Sequence, residues 1–260
     1  MTTWKSTGEH ELTSENLVAL LNNEIAAIRI KGFATPKECA DFADAAKHGN
    51  VKYYSVARKI GYIGQAQYEY RWNPDKSLYF KAVEEANHDL KDVVEKTFDP
   101  VARFIQHLAR VYPESVAVAE EPGLGKYYAG IIRLASQGVD LHVDYAPFNT
   151  LDYVIKNIDA QLGWNFFAEE PGEGGATTIY NNPWNPEMKP GEIPQSYGLD
   201  KSLTEGVPSL TYEPTAGDIV IFNTRNPHEI SAGAEGAVRD RVSIGSFVGR
   251  MPDSSLVLWA

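Results

Sequence analysis

Apolar positions recur at steps of three and four through much of the first 110 residues, the spacing of helices that bury one face. In the stretch ECADFADAAKH, Cys39, Phe42 and Ala46 fall along one side. Thr35-Pro36-Lys37-Glu38 just before it reads as a capping box with proline at the first helical position, and Gly49 as the stop. A longer helical pattern starts near Ser77, breaks at Pro100 and resumes as VARFIQHLARVY, where Val101, Phe104, Ile105, Leu108 and Val111 form a stripe. Ahead of these, Ile25 to Ile30 is a β-branched run that suits a strand.

From about residue 116 the pattern changes to short β-rich runs punctuated by Gly, Pro and Asn: YYAGIIRLA (127–135), QLGWNFFA (161–168), ATTIYN (176–181), SLTYEP (209–214), DIVIFN (218–223) and VRDRVSIGSFVG (238–249). Most are too close together for helical crossovers, so antiparallel pairing in a sandwich or barrel is expected. The segment from Pro183 to Pro208 holds five prolines and no periodicity, and reads as a long surface loop that would serve as a lid. The expected organisation is a mainly β chain with helices (α+β) in one domain, 1–260. Residues 1–115 form a helical and strand support region, and 116–260 the β-rich core.

Charge narrows the partners. With 35 acidic against 24 basic residues the net charge is −11, and no Lys/Arg run occurs. Nucleic acid and anionic membranes, which want basic patches, are not expected partners. Cys39 stands alone, the N-terminal MTTWKSTGEHELTSEN is polar, and no apolar run approaches a membrane span. By elimination the expected location is cytoplasmic, and the oligomeric state is open.

Six histidines are available. His10 in a polar tail, His48 before Gly49, and His88 and His107 on helical patterns read as solvated or packed side chains. His142 and Asp144 in LHVDYAP differ. Two apart at a strand end, they turn to one face and form two-thirds of a facial metal site. His228, after the apolar strand GDIVIF and the turn Asn226-Pro227, would complete it from a second strand. Two imidazoles and one carboxylate with open positions suit an oxygen-activating iron(II). In VRDRVSIGSFV the alternate residues Arg239, Arg241, Ser243, Gly245 and Phe247 share a face. An arginine aimed inside a barrel calls for an anion, and a dicarboxylate co-substrate would supply it. The alternative is an edge strand on which Arg239 and Arg241 face solvent.

The ordered set His142-Val143-Asp144, Gly174-Gly175, GDIVIFNTRNPH ending in His228, and Arg241-Val242-Ser243 resembles the 2-oxoglutarate/iron(II)-dependent oxygenase superfamily over roughly residues 125–250. The phrase GWNFFAEEPGEGGATTIYNNPW is similar to small free-standing enzymes acting on amino acids and alkaloid-like metabolites. Among their relatives are radical halogenases with glycine where this chain has Asp144. The resemblance implies a double-stranded β-helix, a cupin-like jelly roll buttressed by helices. It also implies a hydroxylase that takes iron(II), 2-oxoglutarate and dioxygen, with the metal on His142, Asp144 and His228. The distal carboxylate of 2-oxoglutarate would meet Arg241, helped by Ser243 and by Asn165, unless Asn165 is an ordinary core-satisfying amide. The 13-residue gap from His228 to Arg241 is long for such enzymes, which keeps Arg239 as a substitute. The implied substrate is a small amino-acid-like molecule. Arg71 in YEYRWNPD would clamp its carboxylate, unless it stacks on Tyr70 or Trp72. Phe148, Trp164 and Trp184 would wall the pocket, unless they are core. The rival readings are a metal-dependent hydrolase or isomerase on a cupin-like barrel, a peptide or protein hydroxylase of the same superfamily, and a non-catalytic jelly-roll binding module.

Overall fold

A computed structural model of the protein describes residues 4–54, 60–135, 138–150, 152–185, 187, 196–233 and 241–260. Arg239 and most of 186–195 in the expected lid lie outside the described residues. The N-terminal half begins with β1 (Ser6–His10), α1 (Ser14–Leu21), β2 (Ile25–Ile30) and α2 (Pro36–Lys47). His10, expected in a polar tail, instead ends β1 opposite Ile28, because β1 pairs in parallel with the apolar β2. The capping box of α2 forms as predicted: Thr35 Oγ1 accepts from the Glu38 N–H while the Glu38 carboxylate accepts from the Thr35 N–H. After β3 (Lys52–Tyr53) and β4 (Gly61–Ile63) come α3 (Ser77–Val94) and α4 (Pro100–Val111). Pro100 starts a new helix capped by Asp99.

The β-rich half contains β5 (Val116–Val118), β6 (Glu120–Glu121), β7 (Gly125–Lys126), β8 (Ile131–Ala135), β9 (Val139–His142) and α5 (Ala146–Asn149). It continues with β10 (Ala160–Glu169), β11 (Thr177–Tyr180), β12 (Ser209–Tyr212), β13 (Ile219–Asn223), β14 (His228–Ile230), β15 (Arg241–Arg250) and β16 (Leu256–Trp259). The large sheet runs β1-β2-β13-β10-β15-β8-β4-β3, and β16 also pairs with β15. From β2 to β3 every pairing is antiparallel. The small sheet, β12-β11-β14-β9, is antiparallel throughout.

Strand alternation assigns the two faces of the large sheet different partners. Leu162, Trp164 and Phe166 of β10, Ile219 and Ile221 of β13, and Val242 and Ile244 of β15 pack against Leu17 and Leu20 of α1, Phe42 of α2 and Phe104 of α4. The opposite face points to the small sheet, where Phe167, Val220 and Phe222 meet Ile179 of β11 and Tyr212 of β12. Large aromatics such as Phe104 and Phe166, whose loss from a core costs about 3–5 kcal/mol each, anchor the helices on one side. The gap between the two sheets is left to the chemistry. Among the described residues no helix is long and apolar enough to cross a membrane.

Candidate metal centre

His142 ends β9 and His228 begins β14, and the two are direct cross-strand partners in the small sheet. Their ring centroids lie 4.0 Å apart. Asp144, just past the strand, brings Oδ2 within 3.6 Å of the Nε2 atom of each imidazole. All three potential ligand atoms fall within 4.8 Å of one another. Asp144 is held by its backbone: its N–H donates to the Thr224 carbonyl at 3.0 Å, and Thr224 Oγ1 donates to its carbonyl at 2.9 Å.

Carbonyl contacts set the tautomers. His142 Nδ1 lies 2.7 Å from the Asp140 carbonyl and His228 Nδ1 2.9 Å from that of Asn226. A carbonyl can only accept, so each Nδ1 carries the proton and each Nε2 turns its lone pair inward. Burial first, and the neighbouring His228 second, push His142 down to about 4, which keeps it a neutral ligand at neutral pH. Burial alone would raise the Asp144 carboxyl. The neighbouring His228, His142 and Arg133 outweigh it and hold the group below its ordinary value. The Asp144 side chain is the most open of the three, 14% exposed against 7% for His142 and 5% for His228. It borders a small cavity of about 30 Å³, partly open to solvent, shared with Gln67, Tyr68, Phe247 and Trp259. Neutral imidazoles and a carboxylate on one side, with space on the other, fit a first-row divalent cation such as iron(II).

Arg241 sits at the start of β15 and is 6% exposed. One terminal nitrogen donates weakly to the Gly175 carbonyl at 3.5 Å, and its Nε is buried without a partner among the described residues. Gly174 and Gly175 both have positive φ, and a Cβ at Gly174 would strike the Ala232 carbonyl at 2.2 Å. That tight turn is why glycines stand beside the arginine. Burial first, with Arg133 adding to it, lowers Arg241 to about 10. An orphaned buried guanidinium nitrogen fits a co-substrate carboxylate.

An amide network supports the ligand-bearing turn between β13 and β14. Asn226 Nδ2 donates to Asn23 Oδ1 at 2.6 Å, Trp4 Nε1 donates to the same oxygen at 3.2 Å, and Asn23 Nδ2 donates to Asn181 Oδ1 at 3.2 Å. Tyr197 stacks on the His142 ring, 4.6 Å between centroids and 11° from parallel.

Ser243 and Asn165 lie on the face of the large sheet that looks toward the small one; Ser243 pairs with Phe167, and Asn165 with Gly245. Trp164 does not line the site. As the neighbour of Asn165 in β10 it points the opposite way, fully buried against Phe104. Arg71 rests over the Tyr68 ring at 3.6 Å and lies 5.7 Å from Trp72, so it is stacked, and the ring beneath it borders the cavity. Phe148 packs on Trp184 at 6.0 Å and edge-on to Tyr145, a lining residue of the cavity. Sequence reasoning missed Arg133, Thr224 and Tyr197. A charged residue in the apolar run IIRLA was the available signal for Arg133; for Tyr197, in an aperiodic segment, there was none.

A family model described as the carrier-protein-independent halogenase WelO5 matches residues 7–259. The chain is 32% identical over 212 residues to the leucinostatins biosynthesis cluster protein S of Purpureocillium lilacinum, covering 77% of this chain and 86% of that one. It is 27% identical over 168 residues to the L-gamma-glutamyl-L-propargylglycine hydroxylase of Streptantibioticus cattleyicolor, covering 63% of this chain and 60% of that relative's length. Its fold is similar to that of an N-substituted L-amino acid dioxygenase from Burkholderia ambifaria, with a TM-score of 0.62 at 17% identity over 95% of this chain and 91% of that one.

Proposed function

The chain belongs to the family of the carrier-protein-independent halogenase WelO5, within the 2-oxoglutarate/iron(II) oxygenase superfamily, and on that premise we propose a hydroxylase. In this reading it uses iron(II), 2-oxoglutarate and dioxygen to hydroxylate an unactivated C–H bond of an amino acid or amino-acid-derived small molecule. The observation that carries it is the convergence of His142, Asp144 and His228, with both lone pairs and the carboxylate turned to one point.

His142, Asp144 and His228 would hold the metal, and the distal carboxylate of 2-oxoglutarate would meet Arg241, with Ser243 and Asn165 beside it. When bound, iron(II) with its two co-substrates supplies the oxidising power. The protein's own part is to bind, orient and keep water out. Tyr68, Phe247 and Trp259 would shape the substrate space, and Arg71 and Phe148 stand behind it. Asp144 fills the position that the resemblance leaves to glycine in radical halogenases. Its carboxylate would occupy the place of a halide, which favours hydroxylation over the family's named activity.

The strand orders support a double-stranded β-helix, with β8-β15-β10-β13 set against β9-β14-β11-β12. Residues 1–260 would act as one oxygenase domain, 1–115 supporting 116–260. Segment 183–208 would close over the mouth, and the Tyr197 ring on His142 is its contact with the site. A single buried cysteine, Cys39, would suit a reducing, cytoplasmic setting. The amino-acid substrate class follows the printed activities of the hydroxylase and dioxygenase relatives.

Anaerobic addition of iron(II) and 2-oxoglutarate should give the weak visible absorption band of a metal-chelated 2-oxo acid. Zinc or manganese in the purified protein, with no band after exchange to iron, would instead favour a hydrolase.

A further inference from the structure

The gap between the sheets holds a second arginine that the proposed chemistry leaves without a role. Arg133 in β8 is the cross-strand partner of Ser243 in β15, and Arg241 lies two residues along the same strand. Alternation puts Arg133, Ser243 and Arg241 on one face. Their neighbours Ile132, Val242 and Ile244 are in the helix-facing core, so the arginines look toward the small sheet and the metal ligands. Arg133 is half-buried and makes no ion pair, side-chain hydrogen bond or ring contact with any described residue. Its charge is felt at His142, Asp144, Tyr197 and Arg241, a set that spans the distance from the metal cluster to the floor of the barrel.

Two guanidiniums on one face of the sheet, with no carboxylate paired to either among the described residues, repel one another and are costly out of water unless anions arrive. A divalent metal at the cluster adds further positive charge, set against the Asp144 carboxylate. In the proposed function one carboxylate of 2-oxoglutarate would go to the metal and the other to Arg241, which leaves Arg133 without an assigned anion.

We propose that Arg133 is a second carboxylate anchor inside the barrel, placed opposite Ser243 between Arg241 and the metal ligands. The carboxylate comes either from 2-oxoglutarate, gripped by both arginines, or from the substrate, which is then an acid. The inference rests on the oxygenase reading of the site.

The test compares wild type with Arg133→Met and Arg133→Lys in two anaerobic titrations read by the visible band. The first adds 2-oxoglutarate to the iron(II) protein. The second adds N-acetyl-L-leucine, and separately its carboxamide, to protein saturated with 2-oxoglutarate. Loss of a charge-assisted carboxylate contact should weaken one of the two by about tenfold or more in Arg133→Met, with partial recovery in Arg133→Lys. Weakening in the first identifies the co-substrate as the source. Weakening in the second alone, for the acid and not the amide, identifies the substrate. Both titrations matching wild type overturns the anchor. Wild-type protein that shows no band defeats the oxygenase reading instead. The anchor is then read metal-free, as the rise in melting temperature given by succinate, which Arg133→Met should abolish and which an unchanged rise would refute. Folding is checked in the same experiment, because removing one of two repelling charges should leave the ligand-free melting temperature equal or higher.

Discussion

Asp144 owes its position to backbone contacts with Thr224 rather than to the strand before it, so its side chain can be removed without unravelling β9. Asp144→Ala and His228→Ala should therefore fold and yet lose iron-dependent succinate formation, measured with 2-oxoglutarate and air. Succinate formation at the wild-type level in either would sink the metal assignment. Arg241→Ala should raise the 2-oxoglutarate requirement by about 10²-fold, the cost of a lost charged contact in a buried site. If Arg239→Ala does that and Arg241→Ala does not, the co-substrate assignment fails while the metal cluster stands. What a motif fixed in advance was the meeting of His142, Asp144 and His228 and the inward placing of Arg241. The facing of Trp164 was misread because Trp164 and Asn165 are adjacent in a strand and cannot both face the same gap.

α2 shows how an element far from the metal keeps the large sheet in place. Its Phe42 packs edge-on to Phe166 of β10, 5.9 Å between centroids, and Glu38 in its capping box also pairs with Arg103 of α4 at 2.6 Å. Arg103 first, then the Thr35 N–H, lowers Glu38 to about 2 from its ordinary 4.5. A carboxylate depressed in the folded state contributes stability that is present above the unfolded value and lost as pH falls toward the folded one. Glu38→Gln keeps the capping box but loses the charged pair with Arg103, and should thus destabilise the protein at neutral pH by about 0.5 kcal/mol, the worth of a partly exposed ion pair. The deficit should shrink below pH 4.5 and close near pH 2, as melting curves across that range would record. A pH-independent deficit would assign the loss to packing. The long elements were legible in the sequence because α2, α4, β10 and β15 each repeat their pattern several times. For the strands that carry the histidines the signal was not a period but the His142-x-Asp144 spacing and the turn after GDIVIF. β9 has four residues and β14 three, too few for a period to show.

At the scale of the whole molecule, the pairing of β9 with β14 closes a long stretch of chain, and pattern alone does not say which short strands meet. What pointed to it was the order of chemically distinctive residues along the sequence. The same closure has a consequence at the opposite end of the chain. The carbonyl that fixes the His228 tautomer belongs to Asn226, and Asn226 is steadied by Asn23 and, through it, by Trp4. Retention of the proposed ion would thus depend on opening residues that are not among its ligands. Asn23 has φ of 58°, so Asn23→Gly removes the amide while tolerating the backbone. That variant should melt lower, because Trp4 Nε1 and Asn226 Nδ2 lose a buried acceptor, and at temperatures where it is still folded it should shed iron to a chelator about 10- to 100-fold faster, the usual toll of disturbing what stands behind a ligand. Unaltered release would reduce the amide cluster to packing, whereas rapid release from an intact fold would make it the enzyme's remote latch on its metal.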